Sequence, residues 1–276
     1  MKKLLLLSAL LIFACSSDDS SDTNNNNSST KKLASVVTLY PCSGCERDNS
    51  YLSYTNDRLT LLEYDYFVTD ENGVIDSDPE YNRSGYYLIQ HLSNSIRVTY
   101  DDGLINDIPL NSDGTIDSEN MIFDNGYLTS LFFSEEFEGN TNSWTENWEW
   151  YNGNLIRREY NNYYNGSLDH SSITDIEYTE YDDLTEMIGS SIGNGFLGNS
   201  ESILISILGP RGKSSTKLPY RFTIVFNDSF SGESTSVLTY SYVFDEDGYP
   251  IQVVENEEQS EDGFSRTTRY ELTYTN

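Results

Sequence analysis

Few side chains in this sequence are equipped for covalent chemistry: Cys15, Cys42 and Cys45, and His91 and His170, set among 45 aspartates and glutamates. Cys42-Ser43-Gly44-Cys45 brings two thiols within one turn of chain. In an exported protein that spacing points to a short disulfide across the turn or to free turn cysteines. A structural zinc needs two further ligands, and neither histidine has partner spacing. A redox role needs a helix start in a βαβ context, which this segment lacks. Gly189-Ser190-Ser191-Ile192-Gly193 has the spacing of a nucleophile elbow. An elbow serine follows a strand and precedes its histidine, whereas here a helical stretch comes first and both histidines lie upstream, so the match is read as chance. Gly193-Asn194-Gly195-Phe196-Leu197-Gly198 matches the dinucleotide fingerprint, but without a parallel sheet its glycines read as a hinge between two short helices. Acidic turns at Asp70-Glu71-Asn72-Gly73, Asp76-Ser77-Asp78 and Asp245-Glu246-Asp247 offer oxygen ligands. Val68 and Val243 stand where an EF-hand series would begin, so these acids are read as solvating their turns. No carboxylate pair is singled out by spacing for glycoside hydrolysis. The expectation is no enzyme, no metal and no cofactor. One constellation suits binding: Trp144, Trp148, Trp150 and Tyr151 form the densest aromatic cluster, with Trp148 and Trp150 on one face of a strand. Exposed, such rings stack on sugars; buried, they fill a sheet core.

The start of the chain specifies where it works. Lys2 and Lys3 precede the apolar run Leu4 to Phe13, and Ala14-Cys15 leads into Ser16-Ser17-Asp18-Asp19. A basic start, a short apolar core and a small residue before the cut describe a secretory signal over residues 1–14. A bilayer-spanning helix needs about 20 apolar residues, so this run is not a permanent span. Ile12-Phe13-Ala14-Cys15 resembles the bacterial lipobox, which implies lipidation of Cys15 as the first mature residue. Asp18, Asp19 and Asp22 are similar to the surface-export tag of Bacteroidetes lipoproteins. Residues 15–32, with Asn24 to Asn27 and flanking serines, then read as a lipidated, disordered tether. The first partner is therefore the membrane, reached through acyl chains whose buried methylenes contribute about 0.8 kcal/mol each. The expected location is the outer membrane, lipid-anchored at the cell surface.

Removing residues 1–14 takes away two lysines and no acids, moving the formal charge from −29 to −31. Such a chain repels phosphate backbones, which excludes nucleic acid as a partner. The 22 tyrosines and 12 phenylalanines favour strands, because aromatic side chains pack well on a pleated, half-buried surface. Asn-Gly or Asp-Gly pairs at 72–73, 102–103, 113–114, 125–126, 152–153, 165–166, 247–248 and 262–263 supply the positive φ angles of tight hairpins. Thr268, Tyr270, Leu272 and Tyr274 alternate with polar neighbours, as do Phe222, Ile224 and Phe226, the period of a strand with one buried face. Aromatic-turn-aliphatic units recur near Tyr54, Phe123, Trp150 and Phe244, too unevenly for a solenoid. The fold class is all-β: an antiparallel meander of hairpins forming a curved or barrel-like sheet, one domain over residues 33–276. Two short helices are expected near residues 182–208, the second burying Ile203, Leu204, Ile207 and Leu208 and ending at Gly209-Pro210.

The segment Gly209-Pro210-Arg211-Gly212-Lys213 through Leu218-Pro219, and then Tyr240-Ser241-Tyr242-Val243-Phe244-Asp245-Glu246-Asp247-Gly248-Tyr249-Pro250, resembles a Bacteroidetes surface lipoprotein family, a domain of unknown function with a porin-like fold. The turn from Tyr54 to Leu59 is similar to that family's opening hairpin. The resemblance implies an all-antiparallel, curved or barrel-like sheet on a lipid anchor and carries over no catalytic residue. The expected activity is non-enzymatic binding or scaffolding of envelope or extracellular material. Two competing readings are a glycan-binding accessory protein using the tryptophan cluster and a carrier of an apolar ligand within the curved sheet.

Overall fold

The computed structural model describes residues 31–39, 45–69, 75, 82–137, 139–185, 212–229, 232–260 and 263–275. The first strands are β1 (Lys32–Leu39), β2 (Cys45–Thr55), β3 (Arg58–Thr69), β4 (Arg83–His91), β5 (Ser95–Tyr100) and β6 (Ile105–Pro109). They are followed by β7 (Met121–Asp124), β8 (Tyr127–Phe137), β9 (Asn140–Tyr151), β10 (Asn154–Tyr164) and β11 (Ser167–Asp182). The chain ends with β12 (Lys217–Asp228), β13 (Gly232–Phe244), β14 (Pro250–Gln259) and β15 (Ser265–Thr275). All belong to one 15-stranded sheet in the order β6-β5-β4-β3-β2-β1-β15-β14-β13-β12-β11-β10-β9-β8-β7.

Each strand thus pairs with its sequence neighbours, with two exceptions. β1 pairs with β15, Lys32 opposite Thr275 and Val36 opposite Leu272. β6 and β7, consecutive in the chain, do not pair with each other and form the two edges. The antiparallel meander matches the expectation from sequence, but the sheet is not closed into a barrel. No helix occurs among the described residues. Of the expected pair near 182–208, Asp182 ends β11 and Leu184 and Thr185 lie in a turn, while 186–208 lie outside the described residues.

Asparagine-glycine pairs make the tight turns. Asn125, Asn152 and Asn165 have φ of 52°, 48° and 48°, and the glycines after them 82°, 76° and 77°. Two successive left-handed residues give the twist that lets hairpin strands run on without splaying.

One face of the sheet, the inner one, holds the core. Val36, Leu52, Leu62, Leu155, Ile176, Leu218, Phe222, Tyr240, Val253, Tyr270 and Leu272 all belong to one buried cluster. A bulge keeps Leu59 in that set: Ser53 pairs with Leu61 and Tyr54 with Leu59, so Thr60 is the extra residue. Without the extra residue, strict alternation would turn Leu59 and Leu62 to opposite faces; both are at most 2% exposed.

The outer face of β9–β15 is charged. Arg157 bonds Glu159 and Asp175, Arg221 approaches Glu177, and Arg269 bonds Glu271. A lipid-exposed barrel wall carries a continuous apolar band there. These strands instead present an outer surface suited to water.

The sheet has two rims. At the proximal rim the chain enters through Lys31, whose Nζ lies 2.7 Å from Asp245 and 2.5 Å from Asp247 and packs over the Tyr249 ring. Asp245 in turn accepts the backbone N–H groups of Asp247 and Tyr249, fixing the β13–β14 turn. The same rim is laced by residues 212–217. Lys213 N donates to Gly126 O, Thr216 N to Gly153 O, and Asn154 Oδ1 receives the N–H groups of Thr216 and Lys217. Ser215, 1% exposed, accepts from Leu155 N and shares a hydrogen bond with Tyr178 Oη. Gly212 is required here: its φ is +91°, and a Cβ would strike the Gly126 carbonyl. The distal rim carries the opposite turns, among them Asn165-Gly166, Gly232 and Gly263.

Candidate functional site

On the inner face, strand register sets side chains of neighbouring strands beside one another. Toward the distal rim, Phe133 of β8 pairs with Trp144 of β9, Trp144 with Asn162 of β10, and Asn162 with His170 of β11. One step toward the centre, Glu146 pairs with Tyr160, and Tyr160 with Ser172. The result is a line of rings across four strands. Centroids are 5.6 Å apart for Phe133–Trp144, 6.1 Å for Trp144–Tyr160 and 5.7 Å for Tyr160–His170, with interplanar angles of 27°, 34° and 32°. At those separations the rings overlap at their margins, in the offset arrangement aromatic pairs prefer, and leave part of each face open. Phe133 is 39% exposed and the His170 side chain 42%; Trp144 and Tyr160 are half-buried.

A charged pair lies beside the rings on the same face, toward the proximal rim. Arg158 of β10 grips Glu146 of β9 bidentately, Nε–Oε2 at 3.0 Å and Nη2–Oε1 at 2.7 Å. The indole N–H of Trp148 donates to the same carboxylate at 3.0 Å. Both charged side chains are largely buried, 19% and 10% exposed. Two parallel N–H···O bonds fix the guanidinium plane as well as the charge, so β9 and β10 are locked in register next to the site. Asn162 Nδ2 donates to Tyr160 Oη, and His170 Nδ1 lies 3.0 Å from Asp169.

The four aromatics singled out from sequence separate in space. Trp144 joins the line of rings. Trp148 and Trp150 pack against the core, 6.4 Å apart, and Trp150 Nε1 donates to Leu128 O at 2.7 Å. Tyr151 lies at the end of β9 in the β9–β10 turn at the proximal rim, 65% exposed. Phe133 and Tyr160 were not singled out from sequence, and His170 only as a histidine without partner spacing; only the pairing of four strands brings them to Trp144, and no local spacing signals it.

Other candidates resolve differently. Cys45 opens β2, while Cys15 and Cys42 lie outside the described residues, as do Ser191 and the glycines from 193 to 198. His91 Nε2 meets Leu59 O at 3.0 Å, a bond that ties β4 to β3. The acidic turn at 245–247 holds Lys31, whereas the turns at 70–73 and 76–78 fall outside the described residues. A separate cavity of about 300 Å³ opens on β3 and β4 beside Asp65, Phe67, Arg83 and Ser84. Its chemistry is mixed, with one carboxylate and one guanidinium on its wall.

No family model matches the chain, and no curated protein does. Solved structures that share its fold include two porin-like proteins. A porin-like protein from Bacteroides uniformis ATCC 8492 is 14% identical, covers 90% of this chain and 99% of its own length, and superimposes with a TM-score of 0.53. A porin-like protein from Bacteroides vulgatus ATCC 8482 is 13% identical, with 89% and 99% covered and a TM-score of 0.54. At such identities the likeness is one of fold: this chain has the porin-like architecture, an antiparallel meander of many strands.

Proposed function

We propose that the chain is a non-enzymatic binding or scaffolding lipoprotein of the cell envelope, anchored at the outer membrane through Cys15 and facing outward, with its inner-face aromatics as the contact surface. The observation that carries this reading is the separation of the two rims. The folded body begins at Lys31 on the proximal rim, pinned by Asp245 and Asp247. The half-exposed rings of Phe133, Trp144, Tyr160 and His170 lie toward the distal rim. A protein held by its N-terminus therefore offers these rings away from the point of attachment. The charged outer face supports a body in water rather than one embedded in lipid. Porin-like relatives in Bacteroides fit an envelope setting. An apolar carrier is the poorer match, because Glu135, Asn142 and Ser172 share the distal inner face with the rings and would lose water to a greasy ligand. Metabolic labelling with an alkyne fatty acid tests the anchor: the wild type takes up label, Cys15→Ala does not, and protease added to intact cells degrades the body. An unlabelled wild type, or a body protected in intact cells, overturns the reading.

A further inference from the structure

We infer that the distal inner face of β8–β11 binds a neutral carbohydrate chain, with Trp144 and Tyr160 as its platform; this rests on the proposed role as an envelope binding protein and names its ligand class. Two chemistries meet on that face. The rings run across the strands in steps of 5.6, 6.1 and 5.7 Å, giving an elongated apolar track rather than a single slot. Register places short hydrogen-bonding side chains along it, Asn142 opposite Glu135 and Ser172 opposite Tyr160. A sugar is amphipathic in the same way: its C–H face packs on a ring while its hydroxyls reach amides, hydroxyls and carboxylates. A lipid tail satisfies the rings and strips the polar groups of water. An anionic polymer meets Glu135 and Asp169 on a chain whose formal charge is −29, and like charges across an interface exclude the wrong partner. The ligand that fits is therefore extended, hydroxylated and uncharged.

The charged pair beside them explains why these rings hold still. The Arg158–Glu146 pair and the Trp148 bond to Glu146 fix the strands that bear Trp144 and Tyr160. A platform preorganised in this way loses little rotamer freedom when a ligand settles on it.

The test is calorimetric titration of the full chain in mild detergent with neutral oligosaccharides from β-glucan, mannan and xylan, with oligogalacturonate as the anionic probe and a fluorescent fatty acid as the apolar one. At least one neutral series binds saturably. Trp144→Ala weakens it about tenfold or more, Trp144→Phe keeps part of it, and Tyr151→Ala at the proximal rim leaves it unchanged. Phe133→Ser, altering a 39% exposed ring, weakens binding without a fall in thermal midpoint, which separates a site effect from unfolding. The inference is overturned if no neutral series binds, if Trp144→Ala and Phe133→Ser bind like the parent, or if only oligogalacturonate or the fatty acid binds. Those outcomes leave the envelope reading standing, since it fails separately, when the wild type takes up no fatty-acid label or its body is protected in intact cells.

Discussion

Glu146 is the residue on which the site most depends without belonging to its surface. It accepts two bonds from Arg158 and one from Trp148. Removing one member of such a pair leaves the other charge buried and unpaired, so Glu146→Ala is expected to lower stability by about 3 kcal/mol or more. Replacing both, Glu146→Leu with Arg158→Met, is expected to cost less than the single change, a double-mutant cycle readable from urea midpoints. Gly212→Ala is expected to lower stability by at least about 1 kcal/mol, because the new methyl group meets a carbonyl in a left-handed backbone. Sequence spacing showed Trp148 and Trp150 on one face, and they share it. Whether that face was core at one height and open near a rim at another is set by where the strand ends relative to the fourteen others. Trp144 and Trp148, four residues apart on the same face, therefore have different roles that periodicity alone does not distinguish.

The strands differ in stability for reasons of position. β1 and β15, the first and last, lie in the middle of the sheet with partners on both sides, while β6 and β7, mid-sequence, are its edges. An edge strand bonds on one side only and opens with little loss. Amide exchange followed by mass spectrometry is therefore expected to be slowest in β1, β14 and β15 and fastest in β6 and β7; uniform protection would contradict this order. The hairpins at Asn125, Asn152 and Asn165 were legible because two residues determine each turn. Leu59 shows the opposite case, since its burial depends on a bulge opposite Ser53 and Tyr54 that breaks the alternation. The lacing by residues 212–217 was visible only as a motif: Gly212, Lys213 and Ser215 acquire meaning from Gly126, Gly153 and Leu155, hairpins distant in the chain.

At the scale of the molecule, tyrosine links the core to pH. Burial raises the hydroxyl pKa of Tyr178, Tyr240, Tyr242 and Tyr274 beyond the ordinary 10.0, and pushes Tyr54 up to about 12. The Tyr178, Tyr242 and Tyr274 hydroxyls donate to the carbonyls of Leu155, Pro219 and Pro250 as neutral groups. A proton held in the folded chain and released in the unfolded one stabilises fully below the unfolded pKa. That contribution is lost as pH rises past 10.0 toward the folded values, by about 1.4 kcal/mol per pH unit for each group. Urea midpoints are expected to be flat below that point and to fall steeply above it, with these tyrosinates absorbing in the ultraviolet only once the chain unfolds. An early absorbance rise in the folded state would show the rings to be wet. The pairing of β1 with β15 has a further consequence. Thr275 ends opposite Lys32, so a short linker can join them, and the chain can be reopened between Asn111 and Ser118, where two edges already part. The permuted protein would run from one edge of the sheet to the other with every strand beside its predecessor. Freed from waiting for its two extremities to find each other, it should refold faster than the natural order does.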